Sequence, residues 1–370
     1  MDYIYQDREW PNFIWDSNEI LTLLGKVRNK QGRIIGKMDS IGFELKNEAM
    51  LNNLTREVLK STEIEGEILN EDHVRSSVAN RLGLEISGLP NTDRYIDGVV
   101  EMMFDATANF KDSINTDRLL GWHCALFPTG RSGIHKITTG NWRDDSNGPM
   151  QVVSGAFGRV KVHFQAPDAS ELNAEMKTFI QWINSSPDLE PVLKAAIAHL
   201  WFVTIHPFDD GNGRIARAIT DMLLARSDGI PQRFYSMSSQ IQKERKKYYQ
   251  TLETTQKGTV DVTQWLKWFL ECLLNALDFS ECELSRTLTK HTFWLNNGPK
   301  IKNERQRIVL NRVLNGFDGN LTTSKWARLA KCSKDTALRD IQDLEHNQIL
   351  IKEGAGGRST NYSIKNFSKL

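Results

Sequence analysis

Positions 206–217 hold a residue of each kind needed to bind phosphates, hold a metal and move a proton: His206-Pro207-Phe208-Asp209-Asp210-Gly211-Asn212-Gly213-Arg214-Ile215-Ala216-Arg217. His206 titrates near neutrality in its ordinary state, which suits a general base. Asp210 supplies a carboxylate for Mg²⁺, a cation that takes oxygen ligands and keeps company with phosphate. Gly211 and Gly213 let a ligand approach the backbone closely, and a helix starting near Gly213 offers unpaired N–H groups to an anion. Arg214 and Arg217, three apart on that helix, extend the site towards further phosphates. Singly, each residue reads as a core histidine, a glycine turn or a solvated arginine. Together they converge on one site.

The flanking elements must hold this loop. Pro191 to Ile205 is apolar on nearly every side (Val192, Leu193, Ile197, Leu200, Trp201, Phe202), so a buried helix delivers His206 from its last turn and Pro207 ends it. Ile215, Ile219, Met222 and Leu223 then recur at helical spacing. The motif is a helix, an anion-binding loop and a second helix.

At every fixed position the string also resembles the Fic family signature HPFx(D/E)GNGRxxR. The resemblance implies a protein adenylyltransferase that moves AMP from ATP to a target hydroxyl. It assigns His206 as the base and Asp210 as the Mg²⁺ ligand. It places Asn212 with the Gly211 and Gly213 amides on the α- and β-phosphates, Arg214 on the β-phosphate and Arg217 on the γ-phosphate.

Upstream, Asp16 or Ser17 caps a helical segment, and Asn47 opens another carrying Met50, Leu51, Leu54, Val58 and Leu59 that stops at Gly66. Ser61 and Glu65, four apart, share a face. With Gly66 they resemble the inhibitory motif (S/T)xxxE(G/N) of some Fic proteins, which implies that Glu65 pairs with Arg217. The neighbouring Glu63 and Glu67 are expected to point elsewhere.

Asn91 to Phe127 reads as continuing helix. Gln151-Val152-Val153 and Val160 to Phe164 alternate as two short strands around a glycine turn. The hairpin resembles the Fic flap, with Val152, Val153 and Ser154 beside the nucleotide and an edge that registers an extended target by β-augmentation. Ser238 to Thr254 and Thr263 to Leu277 are further helices. Tyr248 resembles the family's adenine-side tyrosine, and Gln256 stands where many relatives have Asn.

The chain has 370 residues, with 47 basic and 46 acidic side chains. The balance argues neither for nor against nucleic acid, but residues 300–370 carry 14 basic and seven acidic side chains. The four cysteines have no metal spacing, the start lacks an apolar run, and Ala195 to Val203 is too short to span a bilayer. A reduced, cytoplasmic protein with no membrane partner is expected.

Asn296 to Pro299 reads as a linker. Beyond it, helices at Glu304 to Leu314, Ser324 to Ala330 and after Ser333, then a hairpin with its tip at Gly354 to Gly357, follow the order of a winged helix. That fold suggests DNA, with the Ser333 helix in the major groove and Arg358 near phosphate. Asp335, Asp340 and Asp343 beside only Lys334 and Arg339 make a poor face for a polyanion.

The expected architecture is mainly α: an N-terminal helical region with the inhibitory helix (1–100), a Fic core with a β-hairpin flap (101–290) and a winged helix (300–370). The expected substrate is ATP, with Mg²⁺. Expected partners are a target protein with a Ser, Thr or Tyr hydroxyl, the chain itself, a second copy in a homodimer and, weakly, DNA through 320–365. Transfer of another nucleotide, removal of AMP, and a transcription regulator with a degenerate core stand as alternatives. The intact signature argues against the last.

Overall fold

The computed structural model describes residues 3–39, 42–85, 88, 90–146, 148–155, 161–185, 189–316, 319–353 and 360–365. Contacts gather them into two compact units, Met1–Ser280 and Glu281–Leu370. The fold is mainly helical, and its only sheets among the described residues are two-stranded antiparallel hairpins.

From the N-terminus the order is α1 (Ser17–Asp39), α2 (Phe43–Ile64), α3 (Glu71–Arg81), α4 (Arg94–Ala108), α5 (Thr116–Leu126), β1 (Arg131–Ser132), β2 (His135–Lys136), β3 (Gln151–Ser154), β4 (Lys161–Gln165), α6 (Leu172–Asn184), α7 (Pro191–Ile205), α8 (Asn212–Asp228), α9 (Met237–Lys243) and α10 (Arg245–Gln256), all in the first unit, and α11 (Thr263–Asn297), whose residues from 281 on belong to the second. Buried on nearly every face, α7 forms the centre. Its start needs two features: Pro191 in the first turn, where no N–H is missed, and the Glu190 carboxylate, which accepts from Val192 N at 2.8 Å and Leu193 N at 3.0 Å. α8 packs along α7, and α2 lies against α8, α4 and α9.

Three expectations change. The helix read from Asn91 to Phe127 is two helices. At Gly98 an added Cβ would lie 1.9 Å from Ala125 O, so α4 and α5 cross in backbone contact and the chain must break to bring them together. Arg118 satisfies the carbonyls freed by that break, donating to Asp105 O, Asn109 O and Asp112 O at 2.9–3.1 Å. The helix read from Ser238 to Thr254 breaks at Glu244 into α9 and α10. The stretch read as a linker is helical through Asn297, followed by a 3₁₀ turn at Gly298–Lys300.

The second unit contains α12 (Glu304–Leu314), α13 (Thr323–Leu329), α14 (Lys334–His346) and the pair β5 (Leu350–Glu353) and β6 (Asn361–Ile364). Asn303, Thr322 and Ser333 cap the three helices by accepting from the N–H three residues on, each worth about 1 kcal/mol. Trp326, Val309, Leu310, Ile341 and Leu344 fill its core. Asp340 pairs with Arg305 at 2.9 Å and Asp343 with Lys302, so both acids are spent on the α12 side instead of an outer face of α14. The glycine tip and Arg358 lie outside the described residues. No described helix is long and apolar enough to cross a membrane.

Candidate active site

His206 follows the last turn of α7 in the left-handed region, φ 54° and ψ 57°. That costs a residue with a Cβ about 1–2 kcal/mol, so other bonds must hold it there. Its N–H reaches Phe202 O at 3.0 Å. Arg143, 3% exposed, does the rest: its Nε donates to His206 O at 2.9 Å and its backbone N–H to Pro207 O at 2.9 Å. Its remaining nitrogens reach Pro167 O and Asp145. No local pattern in the sequence marks this arginine.

The half-buried His206 ring sits with Nδ1 3.2 Å from Val203 O. A carbonyl only accepts, so Nδ1 carries the proton and Nε2 keeps its lone pair. Burial first, then the Arg143 charge, push the ring down to about 4, against Val203 O, Glu65 and Asp210, which raise it. The ring is therefore neutral well below the near-neutral value expected from its type.

The loop is braced from within. Asn212, 2% exposed, accepts from Phe208 N at 3.0 Å and donates to Phe208 O at 2.7 Å. Its side chain is consumed, and only its backbone N–H remains for the phosphate contact expected of it. Gly211, at φ +85°, brings the chain so near Phe127 that a Cβ would sit 2.9 Å from the ring. His123 stacks on Phe208 at 4.1 Å and donates from Nε2 to Asp210 O at 3.2 Å. α8 then starts without a side-chain cap, which leaves its first N–H groups open to an anion.

Asp210 accepts from Gly211 N at 2.5 Å and from Ser132, lies 3.6 Å from Arg214, and keeps 41% of its side chain exposed. No group of three His, Cys, Asp or Glu among the described residues could hold a metal. One exposed carboxylate beside an anion site fits Mg²⁺, which completes its shell with phosphate oxygens and water.

The two arginines are buried. Arg217 donates to Ser61 Oγ and Ser61 O, both at 2.8 Å, and to Glu65 Oε1 at 2.7 Å. Burial works to lower its pKa, but the Glu65 charge and hydrogen bond together with Tyr248 and Tyr249 outweigh it, and the net shift is upward. An added Cβ on Gly213 would lie 2.2 Å from the same Glu65 oxygen. The carboxylate thus rests on the first turn of α8, made possible by glycine at 213. Gly66, at φ +91°, ends α2 directly after Glu65. Arg214 lies over Phe127 at 5.0 Å and donates to Tyr95 OH at 2.8 Å and Glu67 Oε2 at 3.4 Å. Glu67 does not point elsewhere, as the sequence led us to expect, because the chain turns at Gly66 and brings it back to the loop. Glu63 does, bonding Lys60 and Gln242.

Of the softer assignments, Val152 and Val153 are exposed on β3, and Ser154 bonds His163 across the hairpin. Phe164 anchors β4 against Tyr3 and Tyr5. Tyr248 is buried, with its hydroxyl on His199 at 3.0 Å, while Tyr249 next to it is exposed. Gln256 is buried and donates to Thr204 Oγ1 at 3.2 Å and Val203 O at 3.4 Å, bracing the end of α7. Ser132, Tyr95, His123 and Glu67 complete the neighbourhood, and nothing in the sequence pattern marked them.

Residues 113–224 match the Fic/DOC family model, and residues 3–84 match a domain of unknown function (DUF4172). Proteins named protein adenylyltransferase Fic are similar: one from Drosophila yakuba is 29% identical over 60% of this chain and 40% of its own length, and one from Culex quinquefasciatus 35% over 34% and 25%. The chain thus spans between a quarter and two fifths of these relatives. A Fic family protein from Desulfovibrio desulfuricans shares the fold at TM-score 0.51 and 19% identity, covering 95% of this chain and 97% of that one. A Fic domain containing signaling protein from Bacteroides thetaiotaomicron does so at 0.50 and 20%, over 71% and 95%. Motif, loop geometry and family model agree that residues 113–224 of the chain form a Fic/DOC family domain.

Proposed function

We propose that this protein transfers AMP from ATP to a Ser, Thr or Tyr hydroxyl of a target protein, or of itself, with Mg²⁺, and that Glu65 restrains the reaction. The observation that carries this reading is the Glu65 carboxylate on the uncapped start of α8, paired with Arg217 over Gly213. A carboxylate there marks an anion site and fills it.

With Glu65 withdrawn, the amides at the start of α8 and the two guanidinium groups bind the triphosphate. His206 Nε2 takes the proton of the target hydroxyl as its oxygen attacks the α-phosphorus, and pyrophosphate leaves. Arg143 and Val203 O fix the ring for that transfer. Mg²⁺ on Asp210 would neutralise charge on the phosphates. The hairpin β3–β4 supplies an edge for the target chain.

In this reading 1–100 restrains, 101–290 catalyses, and 300–370 is a winged helix that selects targets. DNA binding through 320–365 is the lesser role, tested by duplex binding across a salt series. The activity is tested with ATP labelled at the α- or the γ-phosphate, added to the protein and to a cell lysate. Label from the α-position alone is expected, and its transfer to proteins of the lysate is lost in His206→Ala. Label from the γ-position alone would make the protein a kinase and overturn the reading.

A further inference from the structure

Three side chains from separate stretches meet where the flap rests on α10. Ser154 Oγ, at the end of β3, lies 2.5 Å from Nε2 of His163 on β4, and His163 Nδ1 lies 2.7 Å from Glu253 Oε2 on α10. The other oxygen of Glu253 is held by Lys257 at 2.6 Å, with Lys161 at 3.8 Å. Lys257 first, and then His163, hold this carboxylate at about 2, so it stays ionised. Because a carboxylate only accepts, His163 Nδ1 carries a proton, and in the neutral ring Nε2 accepts from the serine hydroxyl. Serine, histidine and carboxylate are thus in the order and orientation that raise a hydroxyl's nucleophilicity, an arrangement recognised by geometry and not by chain order.

A structural tie between flap and α10 needs only His163 and Glu253. It gives no reason for an exposed serine on the far ring nitrogen. One turn of α10 links the relay to the active site. Glu253 and Gln256 are three apart on α10, hence neighbours on its surface, and Gln256 bonds Val203 O, the carbonyl that fixes the His206 ring. The electrophile that the AMP-transfer reading supplies is the α-phosphorus of the nucleotide.

We infer that Ser154 is a self-modification site, an acceptor of AMP activated by His163 and Glu253. In the step, Ser154 Oγ forms a bond to the α-phosphorus, the bond from that phosphorus to the bridging oxygen of the β-phosphate breaks, and pyrophosphate leaves with its electron pair. The serine proton passes to His163 Nε2, and Glu253 balances the imidazolium. AMP on Ser154 would stand on the edge offered to targets, so modification should also slow transfer to other proteins. The inference rests on the AMP-transfer reading.

The test uses the full chain as Glu65→Gly, with ATP, Mg²⁺ and a lysate as a source of foreign acceptors. Mass spectrometry locates AMP on peptides of the protein, and α-label measures foreign transfer. The expected result is AMP on Ser154, with His163→Gln lowering the ratio of Ser154 modification to foreign transfer at least tenfold, since general base catalysis contributes ~10²–10⁴-fold. Foreign transfer with no AMP on Ser154 would overturn this inference and leave the proposed function standing. An unchanged ratio in His163→Gln would overturn the relay. No α-label on any protein would overturn both.

Discussion

Replacing Glu65 by glycine removes the oxygen that lies 2.7 Å from Arg217 and rests on the first turn of α8. A hydrogen bond to a charged group contributes roughly 1.5–3 kcal/mol, and a carboxylate at a helix start roughly 0.3–1 kcal/mol. The closed arrangement is thus favoured by about 2–4 kcal/mol. At a factor of ten for each 1.4 kcal/mol, roughly 0.1–4% of molecules offer a free Arg217. Glu65→Gly should therefore raise the initial rate of α-label transfer to a fixed acceptor by about 30- to 700-fold. Glycine is tolerated there because Glu65 already lies beyond the last helical residue, and Arg217 keeps both bonds to Ser61. Glu63→Gln, whose carboxylate is engaged by Lys60 and Gln242, is the control and should change little. Arg217→Ala should silence the activated protein. If Glu65→Gly transferred no faster than wild type while binding ATP equally well, the carboxylate would be no barrier and the restraint would be withdrawn.

Glu67→Gln loosens the second arginine, but at 45% exposure and 3.4 Å the pair is a weak one, so the same assay should show no more than about a fivefold gain. Gly213→Ala puts a Cβ where the Glu65 oxygen now lies; it should weaken ATP binding in calorimetry at least tenfold even in the Glu65→Gly background. His123 and His206 are held at about 4 and His199 at about 3, chiefly by burial, against 6.5 when exposed. Below about pH 6.5 these three rings take up protons in the unfolded chain that they refuse in the folded one. Stability to urea should therefore fall as pH drops towards 4, by up to about 4 kcal/mol per pH unit, and stay level with respect to these groups above 6.5.

Residue type and spacing were enough to draw α7, the loop and α8, because apolar periodicity and Pro207 are local signals. Ser61 and Glu65 could be matched to Arg217 only through resemblance, since their sequence separation of about 150 residues leaves no trace in composition. What escaped is what tertiary contact decides. The break between α4 and α5 follows from Gly98 meeting Ala125, and the role of Arg143 follows from a turn that folds onto α7. Glu67 was misjudged because the turn at Gly66 reverses the chain. The Asn212 side chain closes its own loop on Phe208, a contact that shapes the amides a ligand would meet and that no local pattern announces.

The burial of Arg217 ties restraint to stability. At 2% exposure its guanidinium cannot turn to water, and a buried charge stripped of its partner costs several kcal/mol. Without nucleotide, Ser61 and Glu65 are its partners; on the proposed reading a phosphate takes the place of the carboxylate when nucleotide binds, which would make Glu65 both inhibitor and stand-in ligand for the free protein. Glu65→Gly should lower the melting temperature without nucleotide and regain much of the loss when ATP and Mg²⁺ are added, because a ligand stabilises by RT ln(1 + [L]/Kd) and its Kd is lower once Arg217 is free. At equal ATP concentration, the ATP-induced rise in Tm should be larger in Glu65→Gly than in wild type, by several degrees if the two Kd values differ by about 10²-fold. Equal rises would mean that the carboxylate and the nucleotide do not compete for Arg217, and that Glu65 acts, if at all, by some route other than the anion site.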